Sequence, residues 1–92
     1  MATRRLPPLR ALEAFVRTVR LGSARAAADE LGLSPSALSR RIGNLEEFVG
    51  KKLFTRARQS MKLTDDGHAF FEAVNPQLEA LARAVESQSE NL

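Results

Sequence analysis

The amino-acid sequence predicts a mainly α-helical fold of three helices, a short two-stranded hairpin and a long final helix. Apolar residues recur at three- and four-residue steps through most of the 92 residues, which is the spacing of amphipathic helices. Gly22, Gly32 and Gly50 each follow such a segment, at the position where helices commonly end. The pattern breaks between Leu53 and Leu63, over a length that suits a hairpin.

The first predicted helix follows two prolines and ends at Gly22. Pro7 and Pro8 suit its first turn, because residues there have no intrahelical N–H bond to lose. Its apolar residues form one stripe and are Leu9, Leu12, Phe15, Val16 and Val19. We therefore expect this helix to bury a single face.

A short helix and a longer helix follow, separated by a minimal turn. Ser23 and Ser34 are at N-cap positions, and Pro35 suits the first turn of the longer helix. The inward-facing residues of the longer helix are Leu38, Ile42, Leu45 and Val49. A short helix, a turn at residues 32–34 and a longer helix predict a helix-turn-helix over about residues 24–43.

Two short strands are predicted after the third helix, at residues 53–56 and 60–63. A hairpin at this place is a wing, so the expected architecture is a winged helix-turn-helix followed by a long linker and dimerisation helix. We expect the winged helix-turn-helix domain to occupy residues 1–64, with the wing at about residues 53–63 and the linker helix at residues 65–92.

The final helix is predicted to begin after a Thr64 cap, with Asp65 and Asp66 at its positive end. Pro76 is expected to bend this helix or to split it near residues 72–75. The first half of its apolar stripe is expected to pack inward, whereas the part beyond the proline needs cover from a second copy of the chain. The candidate dimerisation residues are the stripe as a whole: Phe70, Phe71, Val74, Leu78, Leu81 and Val85.

The charge of the chain is divided unevenly. Residues 1–62 hold 13 of the 14 basic and 5 of the 11 acidic residues, a net charge of +8. Residues 63–92 hold 1 basic and 6 acidic residues, a net charge of −5. A basic body with an acidic tail favours a polyanion as partner of the first part only, and a solvated basic surface without a partner is the alternative.

Composition disfavours several classes of function. The chain holds no cysteine, which removes disulfides and cysteine-bound zinc. No apolar run approaches the roughly 18 residues of a membrane span, and Pro7 and Pro8 interrupt any signal-peptide core, so a cytoplasmic, nucleoid-associated protein is expected. His68 lacks partners at metal-ligand spacing, and no nucleophile is paired with a base. We therefore expect no metal, no cofactor and no enzyme activity.

The outward face of the third helix has the composition of a DNA-reading surface. The residues opposite its apolar stripe are Ser36, Arg40, Gly43, Asn44 and Glu47, with Ser39 and Arg41 on the flanks. A face that begins with small hydroxylated residues enters a major groove about 12 Å wide without collision. Arg donates two hydrogen bonds to a guanine edge, and Ser hydroxyls and helix N-terminal amides hold phosphates. An ordinary solvated helix face is the alternative.

A second basic cluster lies in the predicted hairpin and consists of Arg56, Arg58 and Lys62. An Arg at a wing tip is positioned to reach a neighbouring minor groove. Two basic elements on either side of one core favour double-stranded DNA as the partner.

A longer set of residues, together with the gaps between its members, matches the pattern of one known family. Its members are Gly22, Ser23, Ala27, Ala28, Leu31, Ser34, Ala37, Leu38, Ser39, Arg40, Ile42, Leu45, Glu46, Gly50, Leu53, Phe54, Arg56, Leu63, Thr64 and Gly67. In this set, from about Leu6 to Gly67, the chain resembles the DNA-binding domain of the LysR-type transcriptional regulators. The resemblance implies a winged helix-turn-helix whose third helix reads the major groove, a linker helix that forms an antiparallel dimer contact, and an interrupted dyad as the DNA site, usually with T and A at its outer ends.

The resemblance also implies roles for individual residues. Arg40 is expected to read base edges, Ser39 and Arg41 to hold phosphates, and Arg56 to meet the DNA backbone from the base of the wing. The complete set of candidate DNA-binding residues is Ser34, Pro35, Ser36, Ser39, Arg40, Arg41, Arg56, Arg58 and Lys62.

The sequence departs from the family pattern at three positions. Ala24 stands where an aromatic residue is common, Pro35 where Gln often reads a base, and Gln59 where a wing Arg is frequent. Arg58, next to Gln59, is the residue expected to replace that contact. Family members also continue into an α/β effector-binding domain, which is absent here. We therefore expect an isolated DNA-binding part of a longer regulator, with no small-molecule effector site in these residues.

Two other functions remain open from sequence. One is a helical dimerisation module whose basic surface binds no specific DNA. The other is a molybdate-type winged-helix regulator, against which the Ala-Leu-Ser-Arg-Arg-Ile run of residues 37–42 favours the LysR type. The oligomer that a longer chain forms beyond the dimer also stays open.

Overall fold

The structure is a computed structural model that describes residues 5–57 and 60–89; of Arg56, Ala57 and Ser60 it describes the backbone alone. Its elements, in chain order, are α1 (Leu9–Leu21), α2 (Ala24–Leu31), α3 (Pro35–Val49), β1 (Phe54–Ala57), β2 (Ser60–Leu63) and α4 (Asp65–Ser89). The predicted mainly α fold with a two-stranded wing and a long final helix is confirmed.

The turn between α2 and α3 is closed by hydrogen bonds at both of its ends. Gly32 has φ +68°, a left-handed conformation that favours glycine, and its N–H donates to the Asp29 carbonyl at 3.2 Å. The Leu33 N–H donates to the Ala28 carbonyl at 2.8 Å. On the other side, Ser34 Oγ accepts from the Ala37 N–H at 3.1 Å and so caps α3. These bonds fix the direction of α3 relative to α2.

The first helix begins at Leu9, after both prolines rather than at Pro7. Pro8 is the N-cap of α1, with φ −57° and ψ 132°, and its carbonyl accepts from the Ala11 and Leu12 N–H groups at 3.0 and 3.2 Å. The prediction that both prolines lie in the first turn was wrong, because Pro8 keeps the extended ψ of a cap residue and the helical conformation starts at Leu9.

The core centres on Phe15, which is fully buried in α1. Its ring meets the ring of Phe54 from the wing at 5.5 Å between centroids, and the rings of Phe70 and Phe71 from α4 at 5.5 and 6.3 Å. All three pairs have the edge-to-face geometry that aromatic quadrupoles favour. One side chain therefore joins the helical body, the wing and the first turns of α4.

The wing is an antiparallel pair in which Phe54 lies opposite Leu63, Thr55 opposite Lys62 and Arg56 opposite Met61. The first strand begins at Phe54, one residue later than predicted, and Leu53 before it is fully buried. The side chain of Arg56 and the whole of Arg58 lie outside the described residues, and so does the predicted departure at Gln59.

The final helix runs unbroken from Asp65 to Ser89, with Pro76 inside it. Of the two predicted outcomes, a split near residues 72–75 was wrong, and a bend at Pro76 stays a prediction. A proline removes one backbone hydrogen bond, and the turns on either side keep theirs, so contacts that hold both turns maintain one helix. Among the helices of the described ranges, none combines the length and the apolar character that a membrane crossing needs.

Candidate nucleic-acid interface

The orientation of α3 is fixed by the side that it buries. Leu38, Ile42 and Leu45 are buried to 1% exposure or less. Because a helix turns by 100° per residue, this leaves the opposite side of its N-terminal half facing solvent. The candidate DNA-binding residues that are exposed there are Ser34, Pro35, Ser36, Ser39 and Arg40, whereas Arg41 is half-buried.

The N-terminus of α3 offers hydroxyl groups and no acidic side chain in its first turn. Ser34 Oγ lies 3.3 Å from Ser36 Oγ, in addition to accepting from the Ala37 N–H. The positive end of the helix macrodipole is therefore presented with small polar groups around it, which is an arrangement that suits phosphate oxygens. Pro35 at this end has no N–H to donate.

A groove of about 1050 Å³ separates α3 from the base of the wing. Its α3 side is the stripe that contains Ser36, Ser39, Arg40 and Gly43. Its other side includes Lys51, Lys52 and Thr55, which lie after α3 and at the start of β1. The two lysines were not among the predicted site residues. Their position directly after the Gly50 helix end was the signal that could have placed them at this edge.

A buried carboxylate connects α3 to the wing. Glu46 is 6% exposed, and its Oε2 accepts from the Leu53 N–H at 2.8 Å and from the Phe54 N–H at 3.3 Å. These two N–H groups precede and begin β1, so the bonds attach the wing to the last turn of α3. Glu46 follows Ile42 by four residues and thus lies on the inward side of the helix, which is the signal that sequence reasoning left unused.

The end of β2 and the start of α4 are bonded to the residues just before β1. The Thr64 hydroxyl donates to the Lys52 carbonyl at 2.7 Å and accepts from the Gly67 N–H at 2.9 Å, and the Thr64 N–H donates to the Leu53 carbonyl at 3.0 Å. A Cβ on Gly67 would lie 2.0 Å from the Leu53 carbonyl oxygen, so only glycine fits there. The start of β1 is therefore held by Glu46 of α3, by Thr64 after β2 and by the close approach of Gly67 of α4.

Of the basic cluster predicted in the hairpin, the structure describes one side chain. Lys62 is exposed on β2, opposite Thr55 of β1, whose hydroxyl donates to the Lys62 carbonyl at 3.2 Å. The backbone of Arg56 is part of β1. Lys51 lies 3.7 Å from Asp66, with both side chains more than half exposed, which is a weak ion pair that leaves the lysine able to meet another anion.

The predicted dimerisation residues fall into two groups. Phe70, Phe71, Val74 and Leu78 are partly buried against the chain's own core, and the two rings contact Phe15. Leu81 and Val85 are 47% and 58% exposed. Packing within the chain therefore accounts for the first half of the stripe, and a role of those residues in a dimer stays a prediction. The second half is an apolar surface that the described part of this chain leaves open.

A groove between α1 and α4 adjoins that open surface. It is lined by apolar residues that include Leu9, Leu78 and Leu81 and by the polar or charged side chains of Glu13, Arg17, Arg20, Asn75 and Glu79. Leu9 is 51% exposed although it belongs to the predicted apolar stripe of α1. The apolar surface of the last helix thus continues onto the first.

The groove beside the wing is lined by Arg40, Lys51 and Lys52 and also by Glu46 and Glu47. A capped turn, a following helix with an exposed polar N-terminal face and a wing beside it define a DNA-binding domain of the winged helix-turn-helix class. The comparison with protein families agrees. Residues 9–68 match the family described as bacterial regulatory helix-turn-helix protein, lysR family. The chain belongs to this family and is its helix-turn-helix DNA-binding domain, a domain of transcription regulation.

Curated relatives are regulators of greater length. The chain is 45% identical over 83 residues to an uncharacterized HTH-type transcriptional regulator, y4mQ, of Sinorhizobium fredii, and this match covers 90% of the chain and 28% of that protein. It is 38% identical over 90 residues to the glycine cleavage system transcriptional activator of Escherichia coli K12, covering 95% of the chain and 30% of the activator. The chain thus spans less than a third of the length of these relatives.

Solved structures with the same fold include complexes with DNA. The DNA-binding domain of BenM, in a complex with benA site 1 DNA, is 34% identical, with a TM-score of 0.78 and coverage of 91% of this chain and 98% of that one. The DNA-binding domain of CbnR, also in a DNA complex, is 30% identical, with a TM-score of 0.76 and coverage of 89% and 94%.

Proposed function

We propose that the chain binds double-stranded DNA sequence-specifically at an interrupted dyad and thereby controls transcription inside a bacterial cell, as one of two copies in a dimer. The exposure of Ser36, Ser39 and Arg40 on the solvent side of α3, directly after a capped turn, carries the proposal. The DNA complexes of BenM and CbnR, which have this fold, support it.

In this proposal α3 enters the major groove with its N-terminal half foremost. Arg40 donates to the O6 and N7 atoms of a guanine, because it is exposed and lies on the stripe that faces the groove beside the wing. Ser36, Ser39 and Arg41 hold phosphates. Ser34 Oγ already accepts the Ala37 N–H, so a DNA contact from Ser34 is a hydroxyl donation. Pro35 contributes only van der Waals contact.

The wing and the segment before it contribute positive charge on the other side of the groove. Lys51 and Lys52 line the groove, and Lys62 is exposed on β2. Phosphate contacts from these lysines, together with Arg56, position the domain without reading sequence. Arg58, which the sequence predicts to replace a wing Arg, is proposed to reach the neighbouring minor groove.

Dimerisation is proposed through the distal half of α4. Leu81 and Val85 expose apolar surface there, and Leu9 extends this surface onto α1. A second copy of the same chain, related by a twofold axis, covers such a surface with its own α4. A twofold protein dimer in turn matches a DNA site with dyad symmetry. In a longer regulator, an effector-binding domain outside these residues would modulate this binding.

Selection of bound duplexes from a random library tests the proposed function. The expected result is an enriched motif with two half-sites related by a dyad, whose centres lie about 34 Å apart or a multiple of this distance. Binding should also weaken with salt, at a log–log slope of about −0.9 per neutralised phosphate. A chain that sediments as a dimer but enriches no motif would support a plain dimerisation module instead.

A further inference from the structure

Arg20, near the end of α1, contacts α4 on both sides of Pro76. Its Nε and Nη2 donate to Asn75 Oδ1 at 3.1 and 2.7 Å, and its Nη2 lies 2.7 Å from Glu79 Oε2. Asn75 immediately precedes the proline, and Glu79 follows it by three residues. One guanidinium group therefore contacts α4 directly on either side of Pro76.

Pro76 is the mechanically weak point of α4. A proline has no N–H, so the bond that its position would make to the Glu72 carbonyl is missing, and the ring crowds that carbonyl. Sharp helix kinks are found mainly at such positions. The α4 helix nevertheless continues through Pro76 to Ser89. The Arg20 contacts hold the turn before the proline and the turn after it to the same point of α1.

The support for α4 changes character at this point. Before it, Phe70 and Phe71 are held by ring contacts with Phe15. Beyond it, Leu78 still packs against the core, and every described residue from 81 to 89 is exposed. Arg20 and Glu79 are themselves nearly half exposed, at 44% and 48%, so their contact adds little to the stability of the fold. A small energy is enough, however, to select one helix direction among several of similar energy.

We infer that Arg20 is a positioning residue that sets the angle between α4 and the DNA-binding body, and thereby the spacing between the two half-sites that a dimer reads. The inference rests on the proposed dimerisation through α4. The part of α4 beyond Pro76 is long enough for this effect. A tilt of about 10° over the roughly 20 Å from Pro76 to Ser89 displaces the helix end by about 3.5 Å, close to the rise of one base pair.

Binding to a series of duplexes tests this spacing role. Each duplex carries two half-sites, and the spacer between them is varied by one and two base pairs around the selected length. The unaltered chain should prefer one spacer, and Arg20→Ala should reduce this preference by about fivefold while its affinity for a single half-site stays within about twofold. Arg20→Lys keeps the charge that faces Glu79 but loses the fork to Asn75, so it should give an intermediate preference.

Arg17→Ala is the matched control. Arg17 belongs to the same helix, is 43% exposed and lines the same groove between α1 and α4, but its ion pair is with Glu30 of α2. This variant loses the same charge and should keep the spacing preference of the unaltered chain. An undiminished preference in Arg20→Ala, or an equal loss in both variants, would overturn the inference.

A distance measurement within one chain tests whether Arg20 sets the angle between α4 and the DNA-binding body, and this test does not depend on dimerisation. Because the sequence holds no cysteine, spin labels on Asp29→Cys and Arg83→Cys attach only at these exposed positions of α2 and α4. In a sample diluted with unlabelled chain, Arg20→Ala should widen the distribution of label distances, and Arg17→Ala should not. Equal widths overturn the inference. An unaltered chain without any spacer preference would contradict the dimeric part of the proposed function, and the distance widths alone then decide the role of Arg20.

Discussion

The helix-turn-helix and the distal half of α4 are held in opposite ways. In the first, hydrogen-bonded caps close the turn, and Leu38 and Ile42 are buried to 1% exposure or less. In the second, Leu81 and Val85 are about half exposed. The comparison shows that the candidate DNA-reading surface is positioned by the chain's own core, whereas the distal helix has an apolar surface that the described part of the chain leaves uncovered.

The largest expected effect is on the core that both regions share. Phe15→Ala removes the ring that contacts Phe54, Phe70 and Phe71. It should lower the free energy of unfolding by about 4 kcal/mol, since it leaves a cavity among buried side chains. Urea denaturation followed by circular dichroism measures this. Leu6→Ala, at an 83% exposed position, is the control and should change it by less than about 0.5 kcal/mol. A small effect of Phe15→Ala would mean that the wing and α4 are held by other contacts.

A backbone contact at the start of α4 provides the next largest effect. Gly67→Ala places a Cβ 2.0 Å from the Leu53 carbonyl oxygen, so backbone must move, and the free energy of unfolding should fall by about 3 kcal/mol.

Gly43→Ala is the control for this substitution. A Cβ on Gly43 meets no atom of the described residues within 4 Å beyond its own helix backbone and chain neighbours, so this change should stabilise the helix by about 1 kcal/mol. Thermal unfolding of the two variants, measured side by side, checks that Gly67→Ala lowers the stability and Gly43→Ala raises it. Two changes of the same sign would contradict the close approach of α4 to Leu53.

The proposed base contact of α3 is tested by the difference in binding affinity between the selected operator and random DNA. Arg40→Ala should lower the preference for the selected operator by about tenfold or more, because a bidentate base contact is worth about 1–3 kcal/mol of discrimination. Arg56→Ala should weaken binding to both DNAs alike. Fluorescence anisotropy with the two duplexes measures both constants, and Arg83→Ala, on the exposed distal part of α4, is the charge-matched control. An equal loss for Arg40→Ala on both duplexes would remove Arg40 from base reading.

The smallest effect on folding is expected in the distal region. The double substitution Leu81→Ser and Val85→Ser should change the free energy of unfolding of the body by less than about 0.5 kcal/mol, because both side chains are exposed within one chain. The same change should raise the dissociation constant of the dimer in sedimentation equilibrium. Arg83→Ser, on the opposite side of the helix, should leave the dimer intact. A dimer that resists the double substitution would place the interface elsewhere.

Much of the fold follows from local rules, which is why it could be predicted. The helix ends at Gly32 and Gly50 and the caps at Ser23 and Ser34 depend only on neighbouring residues, and the structure has them as predicted. The start of α1 was missed, since the choice between cap and first turn at Pro8 depends on one ψ angle. Prolines are weak predictors of a helix break when distant residues hold both adjacent turns, as Arg20 does at Pro76.

The candidate site was predictable where one helix carries it. The 3.6-residue period separates the buried Leu38 from the exposed Ser39 and Arg40, and the structure has this separation. What sequence reasoning missed depends on contacts across elements: Lys52 lines one groove together with residues of α3, and Glu46 acts through N–H groups seven and eight residues away. The assignment of individual side chains to base or phosphate stays a prediction.

The bonds at the foot of the hairpin limit how this domain can change in length. The Lys52 and Leu53 carbonyls are both occupied by Thr64, so the two strands start and finish in one fixed register. An extra residue inserted before Thr55 or after Met61 would break that register and would also displace the first turn of α4. An insertion between Ala57 and Ser60, the pair farthest from the foot of the hairpin, is expected to leave the register at the foot unchanged.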